Sequence, residues 1–242
     1  MKKSIALVLV VLMFAMFVAC SQDTSDKPGD SEKEQVNTPE DTNTPEIQTA
    51  AHIETKQQGE SSIEYVEVTG LPDIEVQNKL NEELEVFFAW VTVDAENPDK
   101  KVDVTAKYSI IGNRFISVRA YDLEYVEGAA YPVNYLRSNT YDLQTGEYAG
   151  PLSAFVQVEG LMELIMAGKF ANIEPGVELP EMADKLYDNV NDSINFYLTE
   201  TALGLSIEGE NHASGDYWSF EASYEDLQSV LEQKLIDAIA VG

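Results

Sequence analysis

Apolar and polar residues alternate without a fault from Val102 to Ile110, with Val102, Val104, Ala106, Tyr108 and Ile110 on one side and Asp103, Thr105, Lys107 and Ser109 on the other. A period of two predicts a strand with one buried and one wet face. The turn signal Ile111-Gly112-Asn113-Arg114 follows, and the next strand starts with Ile116, Val118 and Ala120 in the buried phase. Tyr121, Leu123 and Tyr125 then take over the apolar positions, a slip of one residue that predicts a β-bulge. A third strand runs towards Tyr141-Asp142-Leu143 and closes on Gln144-Thr145-Gly146-Glu147.

Upstream, Ile63 to Val68 alternates as a strand and stops at Gly70-Leu71-Pro72. Asp73 is placed to cap a helix whose apolar stripe is Val76, Leu80, Leu84, Phe87, Phe88 and Val91. Downstream, one helix is predicted after Pro151, with Leu161, Leu164 and Ile165 on one side, and a second after Pro180 through Met182, Leu186 and Val190. Phe196 to Leu198, Leu203 to Ile207 and Trp218 to Ala222 read as strands, with a polar loop over 208–216. Ser223-Tyr224-Glu225-Asp226 reads as a capping box opening a last helix with the stripe Leu227, Val230, Leu231, Leu235 and Ile239. Strands that meander, interrupted by helices without strict alternation, predict an α+β fold: mainly antiparallel sheet or sheets packed with amphipathic helices. There is no internal repeat.

The front of the chain has a different pattern. Met1-Lys2-Lys3 is followed by an uncharged apolar run from Ile5 to Ala19, 15 residues, short of the roughly 20 that a spanning helix needs. That is the layout of an export signal over 1–19. Phe17-Val18-Ala19-Cys20 resembles a bacterial lipobox, with Phe17 in the place usually taken by Leu, and Cys20 is the only cysteine of the chain. The expectation is therefore cleavage before Cys20, a lipid such as palmitate on its thiol, and a protein held at the extracellular face of the cell membrane. Residues 20–50 add a stalk of Ser, Thr, Asp, Glu, Asn and Pro that buries too little to order itself. Beyond it, from about Ala51, the pattern turns globular.

Charge narrows the partners. The net charge is -28 for the whole chain, and residues 51–242 carry -24, with 35 acidic against 11 basic residues. Such a balance repels nucleic acid and favours a cationic partner. Chemistry is sparse. The two histidines, His52 and His212, lie at neither zinc nor triad spacing. No Gly-x-Ser-x-Gly elbow or phosphate loop occurs, and Asp188-Asn189-Val190-Asn191-Asp192 lacks the glycine and glutamate of a calcium loop. The expectation is no enzyme, no cofactor and no metal. Carboxylate pairs for glycoside hydrolysis stay open, because sequence does not set their separation. For ligand binding the candidates are Asn211, His212, Ser214, Asp216, Tyr217 and Trp218, an aromatic pair beside a polar loop; Trp218 reads equally well as a core residue of its strand.

Gly128-Ala129-Ala130-Tyr131-Pro132, Asn139-Thr140-Tyr141-Asp142-Leu143-Gln144-Thr145-Gly146-Glu147, Phe196-Tyr197-Leu198-Thr199 and Ser223-Tyr224-Glu225-Asp226-Leu227 stand in the order seen in the RsiV-like domain of unknown function. The chain resembles that family over nearly everything after the stalk, and Ile63 to Tyr125 looks like the smaller domain that usually precedes it, which implies a smaller α+β domain over 51–127 and an RsiV-like α+β domain over 128–242. The domain forms the extracellular part of an anti-sigma factor that binds lysozyme, and it accompanies the catalytic domain in PdaC-type peptidoglycan deacetylases of Gram-positive bacteria. The resemblance implies a structural role for Gly128, Tyr131, Pro132, Tyr141, Asp142, Thr145 and Gly146. Two departures limit it: Tyr131 stands where the family usually has His, and Glu210 to Gly215 is shorter than the family's usual loop. Sigma-binding and deacetylase segments are absent from this sequence, so neither host activity carries over. The reading that follows is a non-catalytic cell-envelope lipoprotein that binds or senses a cationic protein such as lysozyme, or a peptidoglycan fragment. The alternative is a wall-active hydrolase using a carboxylate pair.

Overall fold

Two sheets, joined through a polar seam and each backed by its own apolar core, organise the described residues. The computed structural model describes residues 49–173, 194–208 and 217–241, apart from the side chains of 92–95, 172 and 208. All of these lie in one compact unit, Pro45–Gly242. The fold is α+β, as the patterns predict.

The first sheet has five strands in the order β1-β2-β3-β4-β5: β1 (Ala50–Gln58), β2 (Ser61–Thr69), β3 (Lys100–Ile111), β4 (Phe115–Val126) and β5 (Val133–Asp142). Every neighbouring pair is antiparallel except β2 and β3, which run parallel at Ser62 and Ile63. Helix α1 (Ile74–Ala95) is the crossover that a parallel pair needs. The expected line between domains at 127/128 falls between β4 and β5, which are hydrogen-bonded partners in this sheet.

α1 forms where the stripe places it. Asp73 Oδ1 accepts from the backbone N–H of Glu75 at 2.8 Å and of Val76 at 3.4 Å, satisfying two donors of the first turn. The stripe then buries Leu80, Leu84, Phe88 and Val91 against Val66, Val102, Val104, Ile116 and Val118. Asp73→Ala is expected to cost about 1 kcal/mol in urea unfolding. Asp73→Asn, which keeps the acceptor, is expected to restore most of it.

The second sheet has the order β6-β9-β8-β7, from β6 (Ala171–Asn172), β7 (Asn195–Leu198), β8 (Ala202–Glu208) and β9 (Tyr217–Ser223). One face of it packs Phe196, Leu198, Leu205 and Phe220 against helix α2 (Val158–Met166) and helix α3 (Gln233–Ile239). Ile111 and Phe115, at the turn end of β3 and β4, enter this same core, and the Phe115 ring meets Phe155 edge-on at 5.4 Å. The β3–β4 hairpin thus serves both cores. Backbone and hydroxyl groups stitch the sheets: Ser138 Oγ donates to the Phe196 carbonyl at 2.6 Å, Leu198 N–H to Ser117 Oγ at 3.0 Å, and Asn195 Nδ2 to the Leu136 carbonyl at 3.0 Å.

Three expectations need correction. The capping box is made, with Asp226 N–H donating to Ser223 Oγ at 3.1 Å, but it opens a run of turns, and α3 begins only at Gln233. Leu227, Val230 and Leu231 are buried all the same, because the bridge between Val156 and Leu231 fixes the segment in place of helical bonds. β1 extends through a stretch whose near absence of apolar alternation hid it: it is an exposed edge strand on β2. The third correction, the bulge, concerns the site. The helix predicted after Pro180 lies outside the described residues.

Candidate functional site

The slip of phase in β4 is not a bulge. β4 pairs with β3 residue for residue from Phe115↔Ile111 to Val126↔Lys100, and with β5 from Phe115↔Asp142 to Glu124↔Val133. With no residue inserted, the pleat keeps its phase and the side chains must follow it. Ile116, Val118 and Ala120 face the α1 core, and Asp122 and Glu124 continue that same buried row, 2% and 9% exposed. Leu123 and Tyr125 are turned outward, 40% and 45% exposed. The last third of the strand is thus inverted, with acids inside and apolar groups outside. Each half of that exchange opposes folding, and a local rule broken without packing gain is where a functional or a strained site is expected.

The buried side is a small charged network. Glu124 Oε2 holds Lys100 Nζ at 2.6 Å, both side chains largely covered. Asp122 sits one pleat away, directly opposite Val104 and Tyr135, and among the described residues no other residue gives either carboxylate oxygen a hydrogen bond. Burial, and then the neighbouring Glu124 charge, push the Asp122 carboxyl up to about 7, against the pull of Arg137, of its own backbone N–H and of Lys100. Arg137 projects from β5 on the same face, opposite Ala120. Its guanidinium lies 3.6 Å from the centre of the Trp90 ring on α1, a close cation–π stack. The Trp90 indole N–H is buried and unpartnered too.

The outer side continues as an aromatic ridge. The Tyr121 ring lies 5.8 Å from that of Tyr217, and Lys107 Nζ stands 4.8 Å from the Tyr121 ring centre. Next to them the Arg119 guanidinium covers the Tyr197 ring at 4.4 Å, and the Tyr197 hydroxyl donates to Glu221 Oε1 at 2.9 Å. Burial and the Glu221 charge hold that hydroxyl above its ordinary pKa. From this seam the ridge runs along β4 to the exposed Leu123 and Tyr125.

Of the residues proposed from sequence for ligand binding, Tyr217 lies at this seam. Trp218 is partly buried and packs against the core of the second sheet, opposite Ile207. Asn211, His212, Ser214 and Asp216 lie outside the described residues, as does Cys20. Sequence reasoning missed Asp122, Glu124, Lys100, Arg137 and Trp90. The switch of apolar phase in β4 is the signal that points to them, but an inserted residue accounts for the same switch without burying any charge.

The motif residues form a clasp at the far end of the sheet. Tyr141 is buried, and burial pushes its hydroxyl up to about 12. Asp142 takes Arg114 Nη2 at 2.6 Å and the backbone N–H of Gln144 at 2.8 Å, while Thr145 Oγ1 accepts from Glu147 N–H at 3.3 Å. Gly146 has φ 71°, and a β-carbon there would stand 2.7 Å from the Val76 carbonyl, so the turn docks on the first turns of α1. Gly128 turns the chain between β4 and β5, Pro132 leads into β5, and Tyr131 is 65% exposed.

His52, on β1, stands 3.3 Å from Glu54 and 3.5 Å from Glu67. Among the described residues, no group of three or more His, Cys, Asp or Glu side chains is arranged to hold a metal. No helix among them is long and apolar enough to cross a membrane.

No protein-family model matches the chain, and no curated protein does. Among solved structures the chain is similar to a member of the DUF3298 family from Bacteroides fragilis, at 12% identity and a TM-score of 0.48, over 81% of this chain and 97% of that one. It is also similar to a DUF3298 family protein from Pseudomonas aeruginosa, at 14% identity and a TM-score of 0.45, over 78% of this chain and 94% of that one.

Proposed function

We propose that the chain is a non-catalytic cell-envelope lipoprotein, fastened to the extracellular face of the membrane by a lipid on Cys20, that binds a cationic protein or wall fragment with the outer face of β4. The observation that carries the binding reading is the inverted end of that strand. Leu123 and Tyr125 stay in water although two acids occupy the buried positions beside them, and an apolar ridge kept exposed at such a cost is what a docking surface looks like. The net charge of -28 adds long-range attraction for a basic partner. The export signal, lipobox and stalk support the address.

Binding of lysozyme, as a basic wall-directed probe, and of soluble peptidoglycan fragments is measured by calorimetry at low and at high ionic strength. The expected result is association that weakens steeply with salt. In Leu123→Ser/Tyr125→Ser it is expected to fall at least tenfold while the thermal midpoint changes little, because both side chains are already exposed. Absence of salt-sensitive association with either probe would sink this ligand class. Palmitate labelling that survives in Cys20→Ser would remove the anchor.

The hydrolase alternative has one carboxylate pair with a raised member, Asp122 beside Glu124. Against it, both carboxyl groups are buried, and Glu124 is occupied by Lys100 at 2.6 Å. Reducing sugars released from purified peptidoglycan, and lost in Asp122→Asn, would decide for that reading instead.

A further inference from the structure

We propose that Asp122 and Arg137 form a proton-operated latch between the first sheet and α1. With Asp122 protonated, the Arg137 guanidinium rests on Trp90; when Asp122 releases its proton to solvent, the guanidinium leaves the indole and takes the carboxylate. This holds whether or not the outer face of β4 binds a partner.

The present arrangement is that of a neutral Asp122. Both of its oxygens are buried, and no other described residue gives either of them a hydrogen bond. An ionised carboxylate so placed loses its hydration, and no side-chain hydrogen bond among the described residues offsets that loss. A guanidinium that would satisfy it stands on the adjacent strand. Arg137 is opposite Ala120, which puts it on the diagonal from Asp122 on the same face, within the reach of a long side chain. Yet Arg137 forms no ion pair among the described residues, and its described partners are the rings of Trp90 and Tyr135. A buried acceptor and a guanidinium held only by ring faces, one diagonal apart, are the two positions of a switch.

The other charges around Asp122 set its threshold. On β4 itself stands Glu124, a like charge that opposes ionisation. From β3 comes Lys100, committed to Glu124 at 2.6 Å. β5 contributes Arg137 and the Tyr135 phenol, directly opposite Asp122. From α1 the described side chain that joins this group is Trp90, through the Arg137 guanidinium; the side chain of Asp94, one turn further along the helix, lies outside the described residues. Lys100 Nζ is held at Glu124, while Arg137 is held by ring faces alone among the described residues, which makes Arg137 the mobile arm. Because Trp90 belongs to α1, the move removes one of the ties between that helix and the sheet.

Trp90 reports the event directly. The chain has two tryptophans, Trp90 and Trp218, so its emission is read as the difference between the full chain and its Trp90→Phe variant, in detergent, from pH 5.5 to 8.5. One transition in Trp90 emission is expected, with a midpoint near 7. It is expected to vanish in Asp122→Asn and in Arg137→Met, and to move to lower pH in Glu124→Gln. A flat profile in the native chain, or an unchanged transition in Asp122→Asn, would overturn the latch. Should a variant fail to fold, carboxyl-carbon NMR on the native chain still decides. An Asp122 midpoint below 5, or an Arg137 side-chain signal that ignores pH between 6 and 8, defeats the proposal.

Discussion

Gly112→Ala is expected to abolish the folded state at ordinary temperature. Gly112 turns β3 into β4 at φ 52°, a region that costs an L-residue roughly 1 kcal/mol. Steric contact costs more: a β-carbon on this backbone would stand 1.6 Å from the carbonyl oxygen of Ala238, on α3. No rotamer relieves that overlap, since both atoms belong to backbone-fixed positions. Either the hairpin or the helix must move. α3 buries Leu235 and Ala238 in the second core, and the hairpin carries Ile111 and Phe115 into it. A shift of either therefore opens that core, at several kcal/mol by the scale of overpacking and cavity costs, which is most of a typical domain's stability. Asn113 is the internal control. It also has positive φ, 55°, but Asn tolerates that region, and Asn113→Gly is expected to change the urea midpoint little. Near-UV circular dichroism and urea unfolding of both variants separate steric contact with α3 from turn propensity. If Gly112→Ala unfolds no more easily than Asn113→Gly, the packing of α3 on this turn is wrong.

The periodic parts of the fold were legible because they obey one rule at a time. α1 shows its stripe and its Asp73 cap, and β3 shows unbroken alternation, so local pattern and burial agree. β1 failed for the opposite reason. An exposed edge strand has no face that must be apolar, and Ala50 to Gln58 accordingly carries no period to read. The stretch after Ser223 failed differently. Its capping bonds are real, but the bridge from Leu231 to Val156 claims the backbone that a longer helix would have used. Tertiary pairing overrode a local signal. β4 is the sharpest case, because its pattern is plain in the sequence and still points the wrong way. A one-residue phase change has two physical causes, an inserted residue or an inversion of inside and outside, and only the register tells them apart. The register comes from β3 and β5, so the buried Asp122 and Glu124, and the half-buried Lys100 and Trp90 and exposed Arg137 around them, were out of reach of any local reading. Tyr217 was singled out from sequence, but the Tyr121 ring beside it, and Lys107 over that ring, belong to the other sheet and carry no local signal.

Between pH 4 and pH 8 the native chain is expected to lose about 4 kcal/mol of unfolding free energy relative to Asp122→Asn. The sign follows from linkage. In the unfolded chain an aspartate titrates near 3.9, while in the fold Asp122 is raised to about 7. The fold therefore favours the protonated form. Its contribution is complete below about pH 4, falls as pH climbs through the interval, and is exhausted above 7, where both states are ionised. A separation of about 3 pKa units corresponds to roughly 4 kcal/mol. Asn at 122 keeps the shape and removes the titration, so the difference between the two urea series cancels every other carboxylate of this acidic chain. Glu124→Gln removes the second cause of the shift and is expected to shrink the pH-dependent loss while leaving its direction unchanged. The opposite slope, with the native chain gaining on Asp122→Asn as pH rises, would mean that Asp122 is ionised and paired in the fold, and the inversion of β4 would then be an ordinary buried ion pair.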